Sequence, residues 1–160
     1  VEQTIHTFDM ARYLFGEVKL VHCTYSVGLM TDVPNYDVED ATAVNLQFES
    51  GLCGTIFSGC FVKEGGPSKV GLDMWCPHAK IEYAGRSSLT VTQGAKAKTL
   101  SVGNNFLMEI DKTFVNAVKK QDQSLLKSSY ADACRSLAVP LAANESIKTG
   151  KAVAPAKFED

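Results

Sequence analysis

A chain of 160 residues accommodates one domain of ordinary size and no second full one, and 45% hydrophobic residues suffice to bury a core without staples. With 16 Lys/Arg against 18 Asp/Glu the net charge is −2, and no basic run exceeds Lys119-Lys120, which argues against a phosphate-tracking surface and so against nucleic acid as a partner. No apolar stretch approaches the roughly 20 residues that cross a bilayer and no signal pattern opens the chain, so the expectation is a soluble, cytoplasmic protein with no membrane partner.

Residues 3–15 have helical spacing. Ile5, Phe8, Ala11, Arg12 and Phe15 fall on one broad face, Glu2, His6, Asp9 and Tyr13 on a narrower polar stripe, and Gly16 is placed to stop the helix. Residues 17–28 read as a strand with Val21, Cys23, Tyr25 and Val27 on one face, and 29–40 as an acidic loop containing Pro34 and Asn35. Alternation over 41–49 sets Thr42, Val44, Leu46 and Phe48 against Ala43, Asn45, Gln47 and Glu49. Ser50-Gly51 then turns the chain into a second strand, 52–62. Past a Gly65-Gly66-Pro67 loop, four short strands are expected at 69–76, 79–84, 87–93 and 97–102.

A helix over about 105–120 carries the stripe Leu107, Ile110, Phe114 and Val118, which should cover the sheet. A last helix begins near Ser129-x-x-Asp132, a capping-box pattern, and runs towards Thr149-Gly150, with Pro140 expected to bend or break it. The sum is an α+β domain spanning 1–160: an open, predominantly antiparallel β-sheet with helices on one face.

Chemistry is most plausible on the first helix, where an imidazole stands between two carboxylates. Side chains four apart are neighbours, so Glu2 can orient His6 and raise its basicity, and His6 can then serve as the base that accepts a hydroxyl proton. The competing reading is the polar edge of a surface helix. Metal chemistry is less well supported: His22-Cys23 and Cys76-Pro77-His78 lack the paired spacing of zinc ligands, and Cys53 and Cys60 fall on opposite strand faces. The five cysteines form an odd set without a CxxC pair and read as reduced, packed thiols. No G-x-G-x-x-G turn occurs, and Gly65-Gly66-Pro67 cannot replace one, because Pro has no N–H for a phosphate.

The run from Glu2 to Val18, with its His6-x-x-Asp9 core and closing Gly16-Glu17-Val18, resembles the helix that opens the C-terminal domain of the Gfo/Idh/MocA (glucose-fructose oxidoreductase and inositol dehydrogenase) family. Asp37-Val38-Glu39-Asp40, Phe48-Glu49-Ser50-Gly51-Leu52-Cys53-Gly54, Asp132-Ala133 and the tail from Ala142 to Val153 are similar to further family blocks in the same order. The resemblance implies the substrate-side domain of an NAD- or NADP-dependent oxidoreductase acting on a CH–OH group of a sugar, inositol or related polyol. His6 matches the histidine that contacts the reacting hydroxyl, Glu2 stands where many members carry aspartate, and Asp9 is a recurrent position that suits substrate contact or helix fixation.

It further implies a Rossmann domain ahead of Val1 that binds the cofactor and supplies the Glu-Lys-Pro lysine, so that the chain alone is inactive, and a homodimer or homotetramer formed through the sheet face. A start without Met at Val1 fits a cut through a longer polypeptide. Two alternatives stay open: a non-catalytic binding or assembly module of the same fold, and an unrelated α+β ligand-binding domain.

Overall fold

The computed structural model describes residues 4–62, 70–85, 87–101, 103 and 105–158. The elements are α1 (Ile5–Phe15), β1 (Val18–Ser26), β2 (Ala41–Phe48), β3 (Cys53–Gly59), β4 (Gly71–Cys76), β5 (Ala79–Ala84), β6 (Ser88–Gln93), β7 (Lys96–Ser101), α2 (Phe106–Lys120), a 3-10 turn (Gln123–Leu125) and α3 (Tyr130–Thr149). They group into two compact units, one made of Val1–Phe61 with Leu126–Asp160, the other of Val62–Leu125. The expected α+β class with antiparallel strands is what the chain adopts. The strands nevertheless form two sheets, β1-β2-β3 and β4-β5-β6-β7, where the sequence suggested one.

In the first unit the alternation of β2 becomes burial. Val44, Leu46 and Phe48 are buried, while Asn45 and Gln47 point to the exposed face. Gly51 makes the return possible: it sits in the β2–β3 turn at φ 87°, a left-handed conformation that costs glycine little. Opposite, β1 pairs with β2 so that Val21 faces Leu46 and Cys23 faces Val44, placing the buried residues of both strands on one side. That side is covered by α1 and α3, whose Phe8, Ala11, Val139, Ala142 and Ala143 complete the core. Phe15 packs edge-on against Phe48 at 5.6 Å. Each fully buried aliphatic or Phe side chain here contributes about 1.5–3 kcal/mol. Tyr25, expected on the inner face with Val21 and Cys23, is instead exposed, as is Val27 just past the strand end.

The free edge of β1 meets the chain's own tail. Val21 and Val153 exchange both backbone hydrogen bonds, at 2.9 and 2.8 Å. α3 begins as its sequence indicates, Ser129 Oγ accepting from the Asp132 N–H at 3.1 Å, and ends on Gly150 at φ 67°. Pro140 does not break it. The helix runs through Tyr130–Thr149, and Pro140 is buried with Val139, Ala142 and Ala143 beside it. Burial of that face outweighs the one lost backbone bond.

The second unit is a four-stranded meander with α2 following it. Registers Leu72↔Tyr83, Tyr83↔Leu89 and Leu89↔Leu100 set one apolar row, and Met74↔Ile81↔Val91 another on the same face. The opposite face is polar: Lys80 lies 2.8 Å from Glu82 and 3.7 Å from Asp73, and 5.5 Å over the Trp75 ring. α2 is capped as expected, Asn105 Oδ1 accepting from the Met108 N–H at 3.2 Å. Its stripe was expected to cover the sheet, but Leu107, Ile110, Phe114 and Val118 are 57–61% exposed.

Candidate functional site

The first turn of α1 is tied to β3 by the Thr4 hydroxyl, which donates to Ser58 Oγ at 3.1 Å. From there Phe8, Ala11 and Arg12 turn inward, and His6, Asp9 and Tyr13 stand exposed on the stripe that their spacing defines. Glu2, the proposed partner of His6, and the Gly65-Gly66-Pro67 loop lie outside the described residues. Of the three candidate site residues, then, His6 and Asp9 share one accessible helix face, three positions apart.

Beneath that face lies a polar network centred on Arg12, which is 7% exposed. Its Nε and Nη2 donate to the two carboxylate oxygens of Glu17 at 3.1 and 2.6 Å, the bidentate fork that suits a guanidinium. Nη2 also donates to Asp132 Oδ1 at 3.1 Å, and Nη1 donates to the Asp132 carbonyl at 3.2 Å and to Ser136 Oγ at 2.6 Å. The guanidinium has five donors, and these five bonds occupy its capacity, so its burial leaves no N–H unpaired. Ser136 passes the contact on, donating its own proton to Asp9 Oδ1 at 2.5 Å. Asp9 is thereby held from behind while staying open in front.

Asp132 joins the N-terminus of α3 to the same network. The Ser128 hydroxyl donates to its Oδ2 at 2.8 Å, and this bond, with the Arg12 contact adding to it, holds the Asp132 carboxyl below its ordinary range. The hydrogen bond from Arg12 to Glu17 correspondingly raises the guanidinium above its usual value, against the opposing effect of burial.

The acidic loop does a different job. Asp40 is fully buried; its Oδ2 accepts the Leu29 N–H at 2.7 Å, its backbone N–H donates to Ser26, and its carbonyl accepts from Cys60, both at 2.9 Å. The residue thus fastens loop 29–40 between the ends of β1 and β3, which is a structural task. Cys23 alone of the thiols is buried, and burial pushes its pKa up. Cys53, Cys60 and Cys76, at or just past strand ends, are exposed, and Cys134 on α3 is half-buried, so the expected packing of all five as buried apolar groups holds fully for Cys23 alone. Among the described residues no three His, Cys, Asp or Glu side chains gather as a metal site.

Sequence reasoning placed His6 and Asp9 on one exposed helix stripe but missed the Ser136 contact to Asp9 and the ion-paired role of Arg12. The signal was present: Asp132 and Ser136 are four apart on α3, and a lone Arg among apolar positions of α1 requires partners once buried.

The geometry can be set beside known proteins. Residues 1–76 match the sequence model of the GFO/IDH/MocA C-terminal domain. A levoglucosan dehydrogenase in complex with NADH and levoglucosan shares the fold at a TM-score of 0.78 and 19% identity, over 97% of this chain and 49% of that one. An oxidoreductase from Agrobacterium radiobacter in complex with NAD+, L-tartaric acid and magnesium gives 0.74 and 18%, over 94% of this chain and 47% of its own. Among curated proteins no significant match is found. The fold is that of the C-terminal domain of oxidoreductases, and the described residues form no Rossmann domain. Residues 1–76 thus carry the sequence pattern of the GFO/IDH/MocA C-terminal domain, the family that the motifs resembled. It spans about half the length of the solved structures it matches, from 45% to 50%.

Proposed function

We propose that the chain is the substrate-side part of an NAD- or NADP-dependent oxidoreductase acting on a CH–OH group of a sugar, inositol or related polyol. The observation that carries this reading is the pairing of exposed His6 and Asp9 on the opening helix of a domain of this family. A ring nitrogen of His6 accepts the proton of the reacting hydroxyl, Glu2 orients the imidazole, and Asp9 accepts a hydrogen bond from the substrate. The described residues offer no glycine-rich strand-turn-helix for a dinucleotide. The cofactor, which supplies the hydride acceptor, is therefore assigned to a Rossmann domain outside residues 1–160, and the chain alone transfers no hydride. The levoglucosan dehydrogenase structure, with its NADH and sugar, supports the substrate class.

The compartment assigned is the cytoplasm; among the described residues no helix is long and apolar enough to cross a membrane. A homodimer or homotetramer joined through a sheet face is part of the same reading, supported by the half-exposed apolar rows of β4–β6. Those rows also favour the second reading, an assembly module without catalysis.

One substitution separates the two readings. In the protein joined to its upstream sequence, with NAD+ and levoglucosan or myo-inositol as probes, His6→Ala lowers kcat by about 10²–10⁴-fold. Unchanged turnover removes His6 from the reaction, and no turnover by the unsubstituted protein favours the assembly module.

A further inference from the structure

Asp9 is held in an unusual way for an exposed carboxylate. Its Oδ1 receives the Ser136 hydroxyl at 2.5 Å, and that hydroxyl has no rotational choice, because its oxygen accepts from Arg12 Nη1 at 2.6 Å. Ser136 is 3% exposed and Arg12 7%, so the Arg12–Ser136 bond is buried and water has little access to the donor side of the Ser136–Asp9 bond. Arg12 is in turn fixed by Glu17 and Asp132. A chain of charge-assisted bonds therefore runs from the interior to one oxygen of an accessible carboxylate and leaves the other oxygen without a donor from Ser136. A surface aspartate ordinarily rotates among several orientations, and ordering it at the moment of binding costs free energy. Here that ordering is made before any ligand arrives.

We propose that Ser136, clamped by Arg12, is a positioning residue that sets the Asp9 carboxylate to receive a second hydroxyl of the substrate, next to the one served by His6. This rests on the proposed function. His6 and Asp9 are three positions apart on one helix face, about 5–6 Å between their Cβ atoms. That spacing suits a polyol with adjacent hydroxyls and not a simple alcohol. Asp9 works only as an acceptor when ionised, so its ligand must be a donor, which a hydroxyl is. Ser136 touches no substrate and acts through Asp9.

The test is a double-substitution cycle in the protein joined to its upstream sequence, with NAD+ and levoglucosan or myo-inositol as probes. Ser136→Ala raises KM about tenfold and leaves kcat within about threefold, the signature of lost ground-state binding. Ser136→Thr, which keeps the hydroxyl, restores KM. In an Asp9→Asn background, Ser136→Ala adds nothing further, because the carboxylate it served is gone. Additive effects of the two substitutions, or a Thr variant as impaired as Ala while its thermal unfolding is unchanged, would overturn the proposal. A fully active His6→Ala variant in the same experiment refutes the acid/base reading and leaves the Ser136–Asp9 coupling to be judged on its own result.

Discussion

In the first unit, α1, α3 and three strands contribute Phe8, Val21, Leu46, Phe48 and Val139 to a common core; in the second, among the described residues of β4–β7 and α2, only Ala117 is buried. Both units are patterned equally well. The α2 stripe is regular and its caps are in place, and β4–β6 carry continuous apolar rows. What differs is that the first unit's apolar faces find each other within the chain, while those of the second are left at least partly open to solvent. Amphipathic periodicity guarantees that an element has an apolar face; it does not say that the same polypeptide covers it.

The contrast can be broken most forcefully from the core. Phe48→Ala empties the site that Phe15 packs against and should cost about 3–5 kcal/mol in urea unfolding. Amide exchange should then speed up in β1–β3 and stay slow or fast as before in β4–β7. Equal acceleration in both sheets would show that the two units unfold as one.

Acid sharpens the same contrast more gently. The Asp132 carboxyl is depressed in the folded chain, so its contribution is fully present above the unfolded carboxylate value, about 4, and is lost as pH falls through the lower folded value. In the second unit Asp122 is depressed too, but its cause is the neighbouring Ser124, a contact within one turn that joins no two elements of secondary structure. Lowering the pH below about 4 should therefore loosen the α1–α3 junction first, read as faster exchange in α1, and Asp132→Asn should remove most of that dependence. The smallest effect is expected on α2. Ile110→Ser, at a position 61% exposed, should alter unfolding by less than about 0.5 kcal/mol, and a loss above about 2 kcal/mol would mean the stripe is covered after all.

Much of the fold was legible because local rules and packing agree. The eight-residue alternation of β2, the Ser129 cap and the Gly150 stop all appear where the spacing puts them. Of the bend or break expected at Pro140, the break does not occur because a local penalty met a buried helix face, and the split into two sheets was missed because strand order across a loop is not written in periodicity. On α1, the helical stripe predicted the exposure of His6 and Asp9 on one face. Ser136 could not be ranked above other serines until α3 was brought beside α1, more than a hundred residues away in sequence.

The bridge between Val21 and Val153 has a consequence for biosynthesis. The strand that carries Val21 waits for a segment translated more than a hundred residues later, and α3 must arrive with it before Val21 is sealed. The intervening meander, whose pairings are all between sequential strands, can form while translation continues. Nascent chains should thus pass through a stage in which the later-numbered sheet is paired and the earlier one still lacks its cover.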